Sequence, residues 1–177
     1  MADAGVEGTN TVKLAERRVF SPSFKPLYNE GMGLVEKAAE YLDGQGRMDA
    51  KRLSREASTL YAAESMRLTT RLMQIASWLL LQRAANSGEM TRDQVASEKS
   101  KVRLDTASAQ ENAPGWTELP EAFVALVHHS LRLQTLVSRM DNELYGQPVS
   151  SAAPRSGQNP NPVNDQLTLL RTAFGRG

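Results

Sequence analysis

The sequence predicts an all-α protein: an antiparallel three-helix bundle with one very long central helix and a disordered C-terminal tail. Three observations carry this reading. No glycine or proline interrupts the chain from Asp49 to Asn86, a stretch that as one helix would reach about 55 Å. The flanking stretches 21–43 and 117–145 both repeat apolar residues at steps of three and four, the spacing that lines one face of a helix. Residues 146–162, GQPVSSAAPRSGQNPNP, hold four prolines, two glycines and no large apolar side chain except Val149, a composition that cannot bury a core.

The elements follow in chain order. Residues 1–20 show no clear period and are read as a flexible N-terminal segment, with 21–145 as the bundle. In the first helix, Ser21 or Ser23 can cap, and Pro22 or Pro26 is tolerated only in the first turn. Leu27, Gly31, Leu34, Ala38 and Tyr41 then line one face, and Gly44 and Gly46 stop the helix after Asp43.

The second helix is expected from near Asp49 to Asn86. One face carries Leu53, Ala57, Leu60, Tyr61, Leu68, Leu72, Ile75 and Leu79, and an adjoining face carries Met66, Met73, Ala76 and Leu80. Trp78 and Leu81 flank the first face, and the polar strip of Ala63, Arg67, Thr70, Gln74 and Ser77 is narrow. An ordinary surface helix needs one apolar stripe, so this one is central to its own fold or to an assembly. It is not a membrane span. Arg71 and Arg83 bracket a greasy stretch that is too short and contains Gln74 and Ser77.

After Gly88, Thr91 and Gln94 are placed as a capping box for a short helix, and ENAPGW reads as a turn. The third long helix, from Thr117 with Pro120 in its first turn to Tyr145, repeats Leu119, Phe123, Leu126, Ser130, Leu133, Val137, Met140 and Leu144 as a bundle seam. Charge fits the arrangement: residues 47–83 hold seven basic and three acidic side chains, while 21–46 and 117–145 each hold two basic and four acidic. Beyond the linker, Val163, Leu167, Leu170 and Phe174 recur at helical spacing after a cap at Asn164, as a docking peptide would. Residues 146–177 are therefore read as linker plus docking peptide.

Function is approached by exclusion. The net charge of +1 gives no general pull toward nucleic acid or anionic lipid. Zero cysteines remove disulfides, thiolate metal sites and a cysteine nucleophile, and fit a reducing cytoplasm. The opening MADAGVEGTN lacks the basic start and apolar run of a secretory signal. His128 and His129, the chain's two histidines, point about 100° apart as helix neighbours and suit one metal poorly. The glycines of GMG and DGQG do not form a phosphate loop, and Glu30, Glu36 and Glu40 read as a solvated helix face. No catalytic residue, metal ligand or cofactor site is expected. The residues point to a cytoplasmic bundle that works by contact.

Residues 30–104, with EGMGLVEKAAEYLDGQGR, YAAESMRLTTRLMQIASWLLLQRA and GEMTRDQVASEKSKVRL, resemble the bacterial RcdA family. The resemblance implies a dimeric three-helix bundle with a disordered tail that acts as an adaptor for the protease ClpXP. In this reading the response regulator CpdR primes ClpX, PopA helps to bring cargo such as CtrA, and the complex gathers at the cell pole. The family supplies no binding motif to carry over residue by residue.

Contact sites are therefore read from surplus apolar surface. Trp78 and Leu81 are expected at a homodimer interface, and Leu167, Leu170 and Phe174 at a partner. Two alternatives stand beside the adaptor. Arg47, Lys51, Arg52 and Arg55 cluster where the second helix begins, which would suit a DNA-binding regulator. A structural scaffold for polar assembly would need contact surfaces alone.

Overall fold

The computed structural model describes residues 24–146; residues 1–23 and 147–177, with the expectations placed on them, lie outside the described part. Helix α1 spans Phe24–Asp43. Pro26 sits in its first turn, where the amide it lacks would have had no intrahelical acceptor. The helix buries Phe24, Leu27, Gly31, Leu34 and Ala38. Glycine inside a helix costs about 1 kcal/mol relative to alanine, and at Gly31 packing explains it. A Cβ there would overlap a methyl of Leu79 and touch Leu133, so the bare backbone lets the neighbouring helices close in.

The long helix begins later than its uninterrupted sequence suggests. Gln45–Ala50 forms a separate short helix, α2, the chain turns through residues 51–54, and α3 then runs Arg55–Asn86. Ser54 causes the restart: its hydroxyl accepts from the Ala57 amide as an N-cap, an alternative to the continuous backbone ladder. The same hydroxyl donates to Glu118 at 3.0 Å, tying the start of α3 to the approach to the last helix. On the other side of the turn, the Tyr41 hydroxyl donates to Asp49 at 3.0 Å.

Helix α4, Arg92–Lys99, has the expected capping box, in which the Thr91 and Gln94 side chains each bond the other's backbone amide. The chain then returns along the bundle as a strap without regular structure before a 3₁₀ turn at Trp116–Glu118. Pro120 caps α5, Glu121–Tyr145. In the expected turn, Gly115 adopts φ +81° and lies 2.8 Å, from an ideal Cβ position, to Ala57 Cα, so both conformation and space require glycine.

Cross-contacts give the directions. Tyr28 meets Arg83, Glu30 meets His129 and Tyr41 stacks on Phe123, so α1 runs antiparallel to α3, as expected, and antiparallel to α5 as well, where an up-down-up bundle would have made the two parallel. Between α3 and α5 the pairs are Tyr61 with Phe123, Arg71 with Ser130, Trp78 with Asp141 and Gln82 with Tyr145, so these two run in the same direction. The strap makes this possible. From the level of Trp78 to that of Ala57 is about 32 Å of helix, whereas 16 helical residues would cover only about 24 Å. Residues 100–115 are accordingly drawn out. The core they enclose is one continuous cluster, with Leu68, Ile75, Trp78, Leu79, Phe123 and Val137 at its centre.

Candidate protein-contact face

The adjoining apolar face of α3 remains open. Met66 is 74% exposed, Met73 66% and Leu80 47%, one heptad apart. Ala62 before them and Thr69 and Ala76 between them fill the alternate three- and four-residue steps, and they too are exposed or half-buried. The series alternates large and small side chains without a charge, as one strand of a helix-to-helix seam does. Each large residue, if fully covered, would contribute about 1.5–3 kcal/mol. Methionine also adapts its shape to irregular partners.

The residues expected at an interface fall elsewhere. Trp78 is 1% exposed, inside the chain's own core, and its indole N–H donates to Asp141 at 2.9 Å. It is not available to a second chain, which corrects the expectation from its flanking position. The reason is a neighbour outside helical periodicity: Asp141 supplies the acceptor that allows the indole to be buried on that side. Asp141 also pairs with Lys99 at 2.6 Å, so the same carboxylate fixes the end of α4. Leu81 is half-buried. Leu167, Leu170 and Phe174 lie outside the described residues.

The basic cluster is exposed at all four positions, Arg47, Lys51, Arg52 and Arg55, and Arg47 pairs with Asp43 at 3.0 Å. The histidines diverge as their spacing requires: His128 meets Glu111 at 3.0 Å and His129 meets Glu30 at 2.9 Å. Among the described residues no group of three or more metal-ligating side chains converges, and no helix is long and apolar enough to cross a membrane.

A buried polar network escaped the sequence reading. Glu64 and Arg71 on α3 are both fully enclosed, as are Gln82 on α3 and Ser130 on α5. Glu64 accepts from the Ser108 hydroxyl, from the Ala109 amide at 3.0 Å and from Arg67 at 3.1 Å. Arg71 donates to the Thr106 carbonyl at 3.2 Å and to Ser130 at 2.7 Å. Burial pushes the Arg71 guanidinium below its usual range, opposed by the Glu64 carboxylate 3.7 Å away. Glu64 and Arg71 hold the strap. The only trace in the sequence was the serine in the otherwise apolar seam of the last helix.

The described residues thus present an exposed apolar stripe and a buried polar network, and comparison with known proteins supplies the family. A family model described as "Protein of unknown function (DUF1465)" matches residues 15–174. Among curated proteins, none matches. The crystal structure of RcdA from Caulobacter crescentus CB15 is similar at 44% identity, covering 71% of this chain and 92% of that one, with a TM-score of 0.58. The EGMGLVEKAAEYLDGQGR to KVRL resemblance and the helical architecture thus lead to one conclusion: the chain belongs to the DUF1465 family, together with RcdA of Caulobacter.

Proposed function

We propose that the chain is a protease adaptor, which holds cell-cycle regulators of the CtrA type for CpdR-primed ClpXP. The observation that carries this reading is the open seam of Met66, Met73 and Leu80 on a bundle whose core is already complete, in a chain 44% identical to RcdA. A monomer that needed only to fold would have no use for this stripe. We assign the stripe, together with Leu81, to a homodimer contact, and Leu167, Leu170 and Phe174 to a docking contact with protease or cargo.

The mechanism is tethering. An adaptor that grips cargo at one surface and protease at another makes the second encounter intramolecular, which raises apparent affinity about 100-fold or more. No bond is made or broken by the chain itself. PopA belongs to this reading as a cargo-side partner, and recruitment to the cell pole follows from the protease complex; no cofactor is required.

Reconstituted degradation tests it. Cargo, ClpXP and CpdR are combined with and without the full chain, and with a chain ending after Tyr145. The adaptor reading predicts faster loss of cargo only with the full chain; equal rates in all three would reject it. Acceleration by the truncated chain would keep the adaptor and remove Leu167, Leu170 and Phe174 from its mechanism.

A further inference from the structure

The groove between the parallel helices α3 and α5 grips the strap by its backbone. The Leu104 carbonyl accepts from Gln134 at 3.2 Å and from Ser138 at 3.1 Å, the Thr106 carbonyl accepts from Arg71, and the Ala109 amide donates to Glu64. All four of these bonds come from bundle side chains and none from a backbone ladder. A surface that engages a passing chain through its peptide groups accepts many sequences in the same place.

The strap's inward side chains add a second set of contacts to these backbone bonds. From Lys101 to Ser108 residues alternate exposed and half-buried, so Val102, Leu104, Thr106 and Ser108 face inward while Lys101, Arg103, Asp105 and Ala107 face out. Thr106 donates to Gln74 at 2.8 Å and Ser108 to Glu64. Leu104 and Ala109 pack against the core only from its edge, and neither is fully buried. Two side-chain atoms at this groove, Gln134 Oε1 and an Arg71 terminal nitrogen, have hydrogen-bonding capacity that the strap leaves unused. The groove therefore holds more polar capacity than its present occupant fills.

We propose that this groove is a peptide-binding site occupied in cis by residues 102–109, and that an extended segment of a client protein can replace the strap there. The client segment has an aliphatic residue at the Leu104 position and small hydroxyl residues two and four positions later. An aliphatic side chain is needed because Leu104 meets the core, and hydroxyls are needed because the carboxylate and amide oxygens of Glu64 and Gln74 lie inside. Opening leaves the bundle seams intact, since the core cluster lies beneath the groove, and it lets water reach Glu64 and Arg71. This site is separate from the Met66 stripe, and its test involves no protease, so its failure leaves the adaptor reading standing.

The probe is a labelled synthetic peptide copying residues 101–112. It is titrated into the wild-type full chain and into the full-length variant Leu104→Gly, Thr106→Gly, Ser108→Gly, whose strap has lost its inward side chains. The proposal expects the variant to bind the peptide at least about 10-fold more tightly than wild type, because in wild type a tethered competitor acts at roughly millimolar effective concentration. A variant with wild-type helical content that binds no peptide overturns the proposal. Should the variant fail to fold, hydrogen exchange of the wild-type chain decides. Exchange of the Ala109 amide faster than the α3 core amides supports a strap that opens locally, and exchange only with global unfolding overturns it.

Discussion

Glu64 and Arg71 lie two turns apart on α3, both fully enclosed, with carboxylate and guanidinium 3.7 Å apart. Neither could be buried without the strap, because Ser108, Ala109 and Thr106 supply the partners that replace water. A buried charge left alone is costly, which makes Glu64 a sensitive position. Glu64→Ala is expected to destabilise the chain by about 3 kcal/mol, read as a lower urea midpoint. A loss under about 1 kcal/mol, the scale of an exposed pair, would mean that solvent already reaches the site.

Trp78 separates core from interface. Because its ring is enclosed within one chain and bonded to Asp141, Trp78→Ala should cost about 3–5 kcal/mol, and Trp78→Asp should unfold the protein. A folded Trp78→Asp variant of reduced molar mass would return this residue to an interface. Calorimetry and light scattering on the same sample distinguish the outcomes.

The exposed stripe should behave in the opposite way. Met66→Glu, Met73→Glu and Leu80→Glu together should leave the circular dichroism unchanged, since none of the three residues is buried within its own chain, and should make the thermal midpoint independent of protein concentration. The molar mass should fall to that of one 19.4 kDa chain from a larger wild-type value. A wild-type chain that already weighs 19.4 kDa at high concentration would remove the homodimer contact.

Alkaline pH should weaken the fold through its tyrosines. Burial, reinforced by the hydrogen bond to Asp49, raises the Tyr41 pKa, and burial also raises those of Tyr61 and Tyr145. An unfolded tyrosine ionises near pH 10. Above that point the unfolded chain loses protons that the folded chain keeps, so this contribution is complete below about pH 10 and is lost as pH rises. Tyr41→Phe should make the decline in urea midpoint above about pH 10 shallower; an unchanged slope would show that Tyr41 does not share in it.

Much of this architecture was legible because local chemistry marks it. Thr91 with Gln94 announces α4, Gly44 ends α1, and the unbroken run to Asn86 announces a long α3 and its end, although not its start at Arg55. The heptad of Met66, Met73 and Leu80 also stood out, since a face displaced from the core stripe remains distinguishable by spacing. Periodicity could not assign Trp78, because a greasy position beside the core stripe is enclosed only if something such as Asp141 comes to meet it. Nor could it show that Glu64 and Arg71 are buried. Their partners are 35 to 59 residues away, on a strap and a helix whose direction depends on how the chain returns. The same return path made α3 and α5 parallel.

The most direct test of the whole account is the rate at which CpdR-primed ClpXP degrades cargo with the wild-type chain and with the Met66→Glu, Met73→Glu, Leu80→Glu variant at equal concentration. The account predicts acceleration by the wild type and a return to the unassisted rate with the folded variant. Equal acceleration by both would contradict the claim that the contact made by this open helical stripe is required for the chain to act as an adaptor.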